Sequence, residues 1–454
     1  MLLRLSFWAA GTLTLAAACS FEDPKSDDGG SGGGGAGGQT AVGGQTTASG
    51  GKASGGTTSK PTGGTSNQGG TTTAAGTSGE AGAGGQAGET SSASGGTSGA
   101  EGGAGGEEAG GAPEGGAGGS EPGGGAGAGG DTTEPVVIGS SIYPKPPGED
   151  TVPQPAGTVG GLTVLNWAGF KSAVSYTFDD SNETQIKHYD DLKSLGVRYT
   201  FYLQTGKGAF SDPTWARAAQ DGHELGNHTV HHLNQADLSL LPMPTDEVDL
   251  ATKAIETSYG VKVFTMAGPY GASAYEVMAQ NRFFINRGAS DGMMLASSPG
   301  SAFNVACFIP PDGATVDTFN TQVNQTRTAS AWKVFLVHGF KDAVVKDWAY
   351  LPVDYPVFQD AVNYAKGLGD VWIDSVKNVG AYWLGQRAFN AATKSVSGSS
   401  TTWTWQLPAH FPPGNYLRVT VTGGTLKQQN TPLAWNPRGF YEVALDAKSL
   451  TLSP

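Results

Sequence analysis

Two adjacent carboxylates lie where such groups can perform acid–base or metal chemistry. Asp179 and Asp180 directly follow Ala173–Phe178, a run of residues that predicts a β-strand. In α/β folds the carboxyl ends of parallel strands carry the functional groups. The same pair ahead of a helix also fits an N-cap whose charge favours the helix dipole. The doublet alone therefore leaves both interpretations open.

A histidine cluster is the second candidate group, because three of the seven histidines lie within residues 228–232. If this segment is helical, His228 and His232 stand at positions i and i+4 on one face. There they are near enough to bind one metal ion together with a carboxylate. His231, at i+3 from His228, also reaches that face, so the chemistry leaves it open. The alternative is a surface turn with unrelated histidines.

A third candidate, His338, ends the run Lys333–Val337, which is rich in apolar β-formers. A single histidine at the end of a strand often has a structural role. Its placement nevertheless matches that of the Asp doublet, since both follow a strand in the same kind of unit. The joint occurrence of the three groups favours a functional site.

These segments resemble the motif series of a known family. In chain order they are Thr177-Phe178-Asp179-Asp180, His228-Thr229-x-x-His232, Pro269-Tyr270-Gly271 and Leu336-x-His338. Their order and rough spacing are similar to those of the polysaccharide deacetylases, also called the NodB-homology carbohydrate esterases or carbohydrate esterase family 4. The resemblance extends over residues 161–390 and leaves the N-terminal third and the C-terminal region uncovered.

The resemblance implies a distorted (β/α) barrel that holds one divalent metal ion, usually zinc. By analogy the ligands are Asp180, His228 and His232. It further implies that Asp179 is the general base toward the water that the metal activates, and that His338 is the general acid. The backbone N–H of Tyr270 joins the metal in holding the oxyanion. We expect a metal-dependent hydrolase that removes N- or O-linked acetyl groups from an extracellular or cell-envelope polysaccharide.

The sequence also departs from the family pattern. Family members have an arginine shortly before the Pro-Tyr-Gly element, where this chain has Met266-Ala267-Gly268. They also have an Asp-x-x-Asp-Trp motif before the last histidine, and none occurs between Tyr270 and His338. Asp291 is a weak candidate to replace one of these groups. The departures motivate an alternative function, a surface-anchored glycan-binding lipoprotein whose deacetylase domain has impaired turnover.

The elements that must position these residues alternate between strand-like and helix-like patterns. This alternation predicts an α/β fold with parallel strands, either an open sheet or a barrel. After residue 390 the pattern changes to short β-prone pieces separated by Pro and Gly turns. They predict a small β module at residues 395–454. Its role is either to cap the barrel or to bind carbohydrate through Trp403, Trp405 or Trp435, and the sequence does not decide between them.

The N-terminal third differs in composition from the rest of the chain. Residues 1–19 have the layout of a secretory signal, and Leu15–Cys19 resembles a lipoprotein cleavage box in which Cys19 is lipidated. Residues 20–133 predict a disordered tether rich in Gly, Ser, Thr and Ala. Residues 134–160 predict a proline-rich connector, followed by the deacetylase domain at 161–390. We therefore expect an exported protein, anchored at Cys19 or otherwise secreted.

The charge balance restricts the partners. The 454 residues carry 40 acidic and 27 basic side chains, for a net charge of −13, without a Lys/Arg cluster. This balance argues against nucleic acid or an anionic membrane surface as the main partner. We expect an acetylated polysaccharide as substrate and membrane contact only through the lipid anchor. The oligomeric state is not predicted.

Overall fold

The computed structural model describes residues 141–297, 300–345 and 349–454. The predicted signal peptide with Cys19, the predicted tether and the first residues of the predicted connector lie outside the described residues. Within the described ranges, none of the helices combines the length and the apolar character needed to cross a bilayer.

Strands and helices alternate through the first two thirds of the described chain, and strands dominate the last third. The strands are β1 (Thr163–Val164), β2 (Ser172–Phe178), β3 (Thr200–Leu203), β4 (Glu224–Asn227), β5 (Thr265–Ala267), β6 (Ile285–Arg287), β7 (Met294–Leu295), β8 (Ala331–Val337), β9 (Val371–Ile373), β10 (Thr393–Ser397), β11 (Ser400–Thr404), β12 (Tyr416–Thr420), β13 (Thr425–Gln428), β14 (Thr431–Pro432), β15 (Trp435–Asn436), β16 (Phe440–Ala444) and β17 (Ser449–Ser453). The helices are α1 (Glu183–Lys187), α2 (Tyr189–Ser194), α3 (Thr214–Gln220), α4 (Gln235–Leu238), α5 (Asp246–Tyr259), α6 (Ser273–Ala279), α7 (Val316–Ala329), α8 (Tyr355–Gly367) and α9 (Val376–Asn390).

A curled parallel sheet forms the centre of the fold, in the order β6-β5-β4-β3-β2-β8-β7, with β9 also paired to β2. All of these pairs are parallel except β7–β8. The segment 305–308 bridges the sheet from β6 to β8 through the parallel bridges Arg287–Val305 and Phe308–Phe335. The predicted α/β fold of the deacetylase type, a distorted barrel, is confirmed.

The two strands that carry the predicted acid and base are buried along their whole length. Every residue of β2 and of β8 is buried, and the two strands pair in register from Ala173–Trp332 to Phe178–Val337. Strands covered by helices on both faces read as nearly continuous apolar runs, which is why the sequence predicted both of them. Their carboxyl ends place Asp179 and His338 at the same edge of the sheet.

The sequence analysis missed three short strands of this sheet, β4, β6 and the two-residue β7. β4 contains Glu224, Gly226 and Asn227, which are poor β-formers, and β6 has only three residues. Long-range parallel pairing imposes the strand conformation on both segments despite their composition. The omission matters because the ends of β4 and β6 deliver residues to the site.

The C-terminal region forms two antiparallel sheets, and the segment before the barrel joins one of them. The first sheet has the order β1-β12-β16-β15, and the second has the order β10-β11-β17-β13-β14. The predicted connector is bound to the β module from its first described residue. Ser141 donates its backbone N–H to Glu442, and Val152 donates to the Pro437 carbonyl. The segment that precedes the barrel in the sequence therefore forms part of the β module, most of which follows the barrel.

The tryptophans of β11 and its C-terminal flank are core residues. Trp403 and Trp405 are 8% and 2% exposed, and the Phe389 ring of α9 contacts both indole rings. One continuous apolar cluster includes Trp332 and Trp372 of the barrel together with Leu417 of the β module. For Trp403 and Trp405 this packing favours the capping role over carbohydrate binding.

The buried histidine His223 couples the stability of the barrel to pH. It lies immediately before β4, and its Nδ1 accepts the backbone N–H of Tyr199 at 3.1 Å. Burial lowers the pKa of His223 to about 4. The unfolded chain therefore binds a proton near pH 6.5 that the folded protein does not bind, and stability falls as the pH drops from about 6.5 to about 4.

We expect the titration of His223 to lower the free energy of unfolding by about 2 kcal/mol when the pH decreases from 7 to 5. In His223→Asn the side-chain oxygen can still accept the Tyr199 N–H but does not titrate. Urea unfolding of both proteins at the two pH values measures the difference. Equal losses of stability in the wild type and the variant would contradict this prediction.

Candidate metal centre

The site begins where β2 ends. Asp179 and Asp180 are 2% and 8% exposed, so two neighbouring carboxylates are buried side by side. Asp180 has φ 72° and Ser181 has φ 51°, in the left-handed region that non-glycine residues seldom occupy. The helix that follows has Asn182 as its N-cap residue, so neither aspartate is the N-cap. This backbone turn directs the doublet into the site rather than into the helix end.

The histidine segment follows β4 and is a loop, so the helical arrangement considered for it does not occur. Thr229 has φ 64° and His232 has φ 56°, and the Thr229 hydroxyl accepts the His232 N–H at 3.0 Å. This tight turn brings His228 and His232 together, with ring centroids 4.8 Å apart. His231 turns away, is 65% exposed in its side chain and binds Glu247 at 2.6 Å.

Asp180, His228 and His232 form a compact group of potential metal ligands. The Nε2 atoms of His228 and His232 lie 3.2 and 3.5 Å from Oδ1 of Asp180. One donor atom from each residue lies within 4.8 Å of the other two. One carboxylate and two imidazoles are a donor set that suits zinc and leaves further coordination positions for water or substrate.

Two polar atoms of this group support the fit to a cation. Oδ1 of Asp180 and Nε2 of His228 are buried and lie 3.2 Å apart, and neither has a hydrogen-bond partner in the part of the chain that the structure describes. The other ring nitrogen of His228 lies 2.8 Å from the Ala267 carbonyl, and we assign Nδ1 as its N–H donor. The lone pair of Nε2 then faces Asp180. Metal-bound histidines generally have such a backbone partner on the second nitrogen.

The charges of the group also favour a cation. Burial opposes the ionised form of Asp180, but the adjacent His228, helped by the nearby His338 and His232, outweighs this effect and holds the pKa of Asp180 below the usual range. Burial lowers the pKa of His232 to about 4, so this imidazole is neutral near pH 7. Burial opposes the charge of His228 as well, yet Asp179 and Asp180 raise its pKa. A proton on His228 would therefore compete with a metal ion.

Asp179 is paired with an arginine that the sequence analysis missed. The Arg287 guanidinium donates through Nη2 to Oδ2 of Asp179, and the two side chains are 1% and 3% exposed. A second donor, Nη1, binds the Gly288 carbonyl at 2.8 Å. Burial opposes the charge of Arg287, but Asp179 more than offsets it and the pKa of Arg287 rises.

Arg287 supplies a group that the sequence analysis treated as missing. An arginine was expected before Pro269, and the structure provides one at the end of β6, the next strand of the sheet. The available sequence signal was a single basic residue two positions after the apolar run Phe283-Phe284-Ile285. Asp291 does not reach the site, because it is 68% exposed in its side chain and binds Lys333 at 2.7 Å.

His338 follows β8 and stands at the same sheet edge. Its Nδ1 is buried and finds no hydrogen-bond partner within residues 141–297, 300–345 and 349–454. The His338 ring meets the Tyr350 ring edge-on, with centroids 5.3 Å apart. Burial lowers the pKa of His338. No carboxylate of the described residues forms a hydrogen bond with Nδ1, in line with the absent Asp-x-x-Asp-Trp motif.

Tyr270 lies in a turn at Pro269–Gly271 with φ 55°. Tyr270 as a residue is 66% exposed, and the centroid of its ring lies 4.7 Å from that of the His232 ring. The structure thus places all six predicted site residues along one edge of the sheet: three metal-ligand candidates, a carboxylate, a histidine and this turn.

The chain is similar to a known family and to several known proteins. Residues 169–283 match the family model described as polysaccharide deacetylase, which confirms the resemblance carried by the motifs. A gellan lyase from a Bacillus species is 28% identical over 149 residues, covering 32% of this chain and 6% of that protein. The peptidoglycan-N-acetylglucosamine deacetylase of Bacillus cereus is 39% identical over 72 residues, covering 15% and 26% of the two chains.

A solved structure, peptidoglycan deacetylase PdaC from Bacillus subtilis, matches at 20% identity with a TM-score of 0.32. The match covers 46% of this chain and 90% of that chain. The chain spans less than half the length of the curated relatives it matches.

The geometry predicts which histidines bind a metal. We expect His228→Ala and His232→Ala each to abolish stoichiometric zinc binding, because each removes one of three donors. His231→Ala is the matched control and should bind zinc like the wild type, since His231 faces Glu247. Isothermal titration with zinc, with folding checked by circular dichroism, measures the effect. Equal loss of binding in all three variants would exclude this ligand set.

Proposed function

Since residues 169–283 match the polysaccharide deacetylase family, we propose that this protein is a metal-dependent hydrolase that removes acetyl groups from a polysaccharide. The observation that carries the proposal is the grouping of Asp180, His228 and His232 beside Asp179 and His338 at one sheet edge. The substrate class follows from the family. The choice between N-acetyl and O-acetyl groups stays open.

Asp180, His228 and His232 would hold one divalent metal ion, for which zinc suits the donor set. Such an ion supplies a Lewis acid that lowers the pKa of water and polarises the acetyl carbonyl. The remaining roles belong to side chains and backbone of this chain.

Asp179 is the proposed general base. Its carboxylate accepts a proton from the attacking water as the water oxygen bonds to the acetyl carbon. Arg287 binds Oδ2 of this carboxylate and fixes its orientation. The other oxygen, Oδ1, is buried, has no hydrogen-bond partner in the described chain and is left to accept the proton. An arginine is suited to this task because it stays protonated and has several donors in a rigid plane.

His338 is the proposed general acid. It donates a proton to the leaving nitrogen or oxygen as the bond to the acetyl carbon breaks, which yields acetate and a free amine or hydroxyl group. The Tyr270 backbone N–H is the proposed donor to the oxyanion that forms in between. General acid or base catalysis typically contributes about 10²- to 10⁴-fold in rate.

The alternative function is a glycan-binding surface protein with impaired turnover. It was motivated by two missing family groups, and Arg287 now provides one of them. The second group, a carboxylate partner for His338, has no counterpart among the described residues. The deacetylase function is therefore the better supported of the two.

Acetate release from partially acetylated chitin, peptidoglycan and xylan tests the proposal. We expect Asp179→Asn and His338→Ala each to lower kcat by about 10²- to 10⁴-fold while the protein keeps its metal, because each removes one proton-transfer group. Asp291→Asn is the matched control, with turnover near that of the wild type. If the wild type binds zinc yet releases no acetate from any of these glycans, the glycan-binding alternative replaces the proposal.

The proposed location is the cell envelope, with export through residues 1–19 and lipidation at Cys19. We expect Cys19→Ser to move the protein from the membrane fraction to the soluble exported fraction, because it removes the acylated thiol. Cell fractionation with immunoblotting measures the distribution. Unchanged fractionation would exclude the lipid anchor.

A further inference from the structure

We propose that the first turn of α1 is a positioning device that fixes the distance between Asp179 and His338. Three side chains of this turn, Asn182, Thr184 and Gln185, bind the backbone of the acid segment His338–Phe340; we call them the α1 clip. This inference rests on the proposed function, because it concerns the acid and the base of that reaction. The clip residues hold the acid segment through its backbone and are positioning residues; Asn182 also accepts a hydrogen bond from the Lys207 ammonium at 2.6 Å.

The clip is needed where the sheet stops. The ladder between β2 and β8 ends with the pair Phe178–Val337, and one further hydrogen bond joins the Asp179 N–H to the Val337 carbonyl at 3.3 Å. The carbonyls of Asp179 and His338 lie beyond the last ladder pair. Buried carbonyl groups require donors, so the chain must supply them from elsewhere.

Gln185 donates hydrogen bonds to both of these carbonyls from one nitrogen atom. Its Nε2 lies 2.5 Å from the Asp179 carbonyl oxygen and 2.7 Å from that of His338. A carboxamide nitrogen has two hydrogens, so it can donate to both at once. The Gln185 side chain is fully buried. The backbones of the base and the acid therefore cannot separate unless one of these two hydrogen bonds breaks.

Two further contacts hold the acid segment. Asn182 donates to the His338 carbonyl at 2.6 Å, and the Phe340 N–H donates to the Thr184 hydroxyl at 3.1 Å. Gly339 lies between His338 and Phe340, and a Cβ added to it would stand 2.6 Å from the Thr184 hydroxyl oxygen. The absence of a side chain at this position is what lets the turn approach so closely.

The clip matters more for the acid than for the base. The Asp179 carboxylate is also fixed through Arg287, whereas Nδ1 of His338 has no hydrogen-bond partner among the described residues. The imidazole of His338 is therefore located by its backbone and by ring packing against Tyr350. Displacing a reacting group by about 1 Å can lower the rate about 100-fold.

A second glutamine provides a matched control for a purely structural role. Gln428 of β13 is buried, and its Nε2 donates to two backbone carbonyls, those of Ala444 and Ser449, at 2.9 and 3.1 Å. Its Nε2 thus makes the same kind of two-carbonyl bridge within the β module, and its Oε1 also accepts the Ala444 N–H at 2.8 Å. Replacing either glutamine by methionine removes the same kind of bridge with little change in volume.

The experiment compares Gln185→Met with Gln428→Met in the full chain loaded with zinc. For Gln185→Met we expect kcat for acetate release to fall about 10- to 100-fold while KM and zinc content stay within about threefold of the wild type. For Gln428→Met we expect wild-type kcat. Asn182→Ala, which removes one of two donors to the His338 carbonyl, should give a smaller loss and covers the case in which Gln185→Met does not fold.

A readout without turnover separates this inference from the proposed function. The ring ¹⁵N signals of His338, assigned through His338→Gln, should shift or broaden in Gln185→Met and stay unchanged in Gln428→Met. If the wild type releases no acetate but these signals change, the proposed function fails and the clip stands. If acetate is released and Gln185→Met and Asn182→Ala keep wild-type kcat and His338 signals, the clip is wrong and the function stands.

Discussion

Burying two consecutive carboxylates is the constraint that organises this site. An ionised carboxylate away from water is costly unless charge and hydrogen bonds compensate it. Asp179 receives a permanent compensating charge from Arg287. Asp180 instead faces His228 and His232, which are suited to share a cation with it. In the proposed function this difference assigns separate roles to identical side chains: the carboxylate with a fixed partner would serve proton transfer, and the other would bind a metal.

The compensating groups come from different strands, and strained backbone brings them together. Asp179 and Asp180 follow β2, the histidines follow β4, and Arg287 closes β6. Non-glycine residues with positive φ concentrate here, namely Asp180, Ser181, Thr229, His232 and Tyr270. Each such residue costs about 1–3 kcal/mol and persists only where its surroundings determine it. The fully buried strands β2 and β8 provide that rigid surrounding.

The sequence predicted the fold class and the ligand candidates for different physical reasons. Long buried strands such as β2 can be recognised in the sequence, because parallel strands covered on both faces are apolar throughout. The histidine pair was selected on helical spacing, yet a tight loop rather than a helix joins His228 to His232. Arg287 could not be found, because β6 has three residues and its strand conformation depends on pairing with β5. Contacts made only after folding, such as those of Gln185, leave no local pattern.

The helix α9 packs against both the barrel and the β module, so closely that we expect the two parts to be inherited together. Its residues are buried on nearly all sides, and Gly385 lies so near Leu445 of the module that a Cβ would stand 2.4 Å from that side chain. Domains that recombine freely between genes are joined by exposed linkers with few contacts across them. Here an unrelated replacement for residues 391–454 would have to reproduce the same side chains against α9. We therefore expect the β module to evolve together with this barrel and not to be exchanged among other proteins.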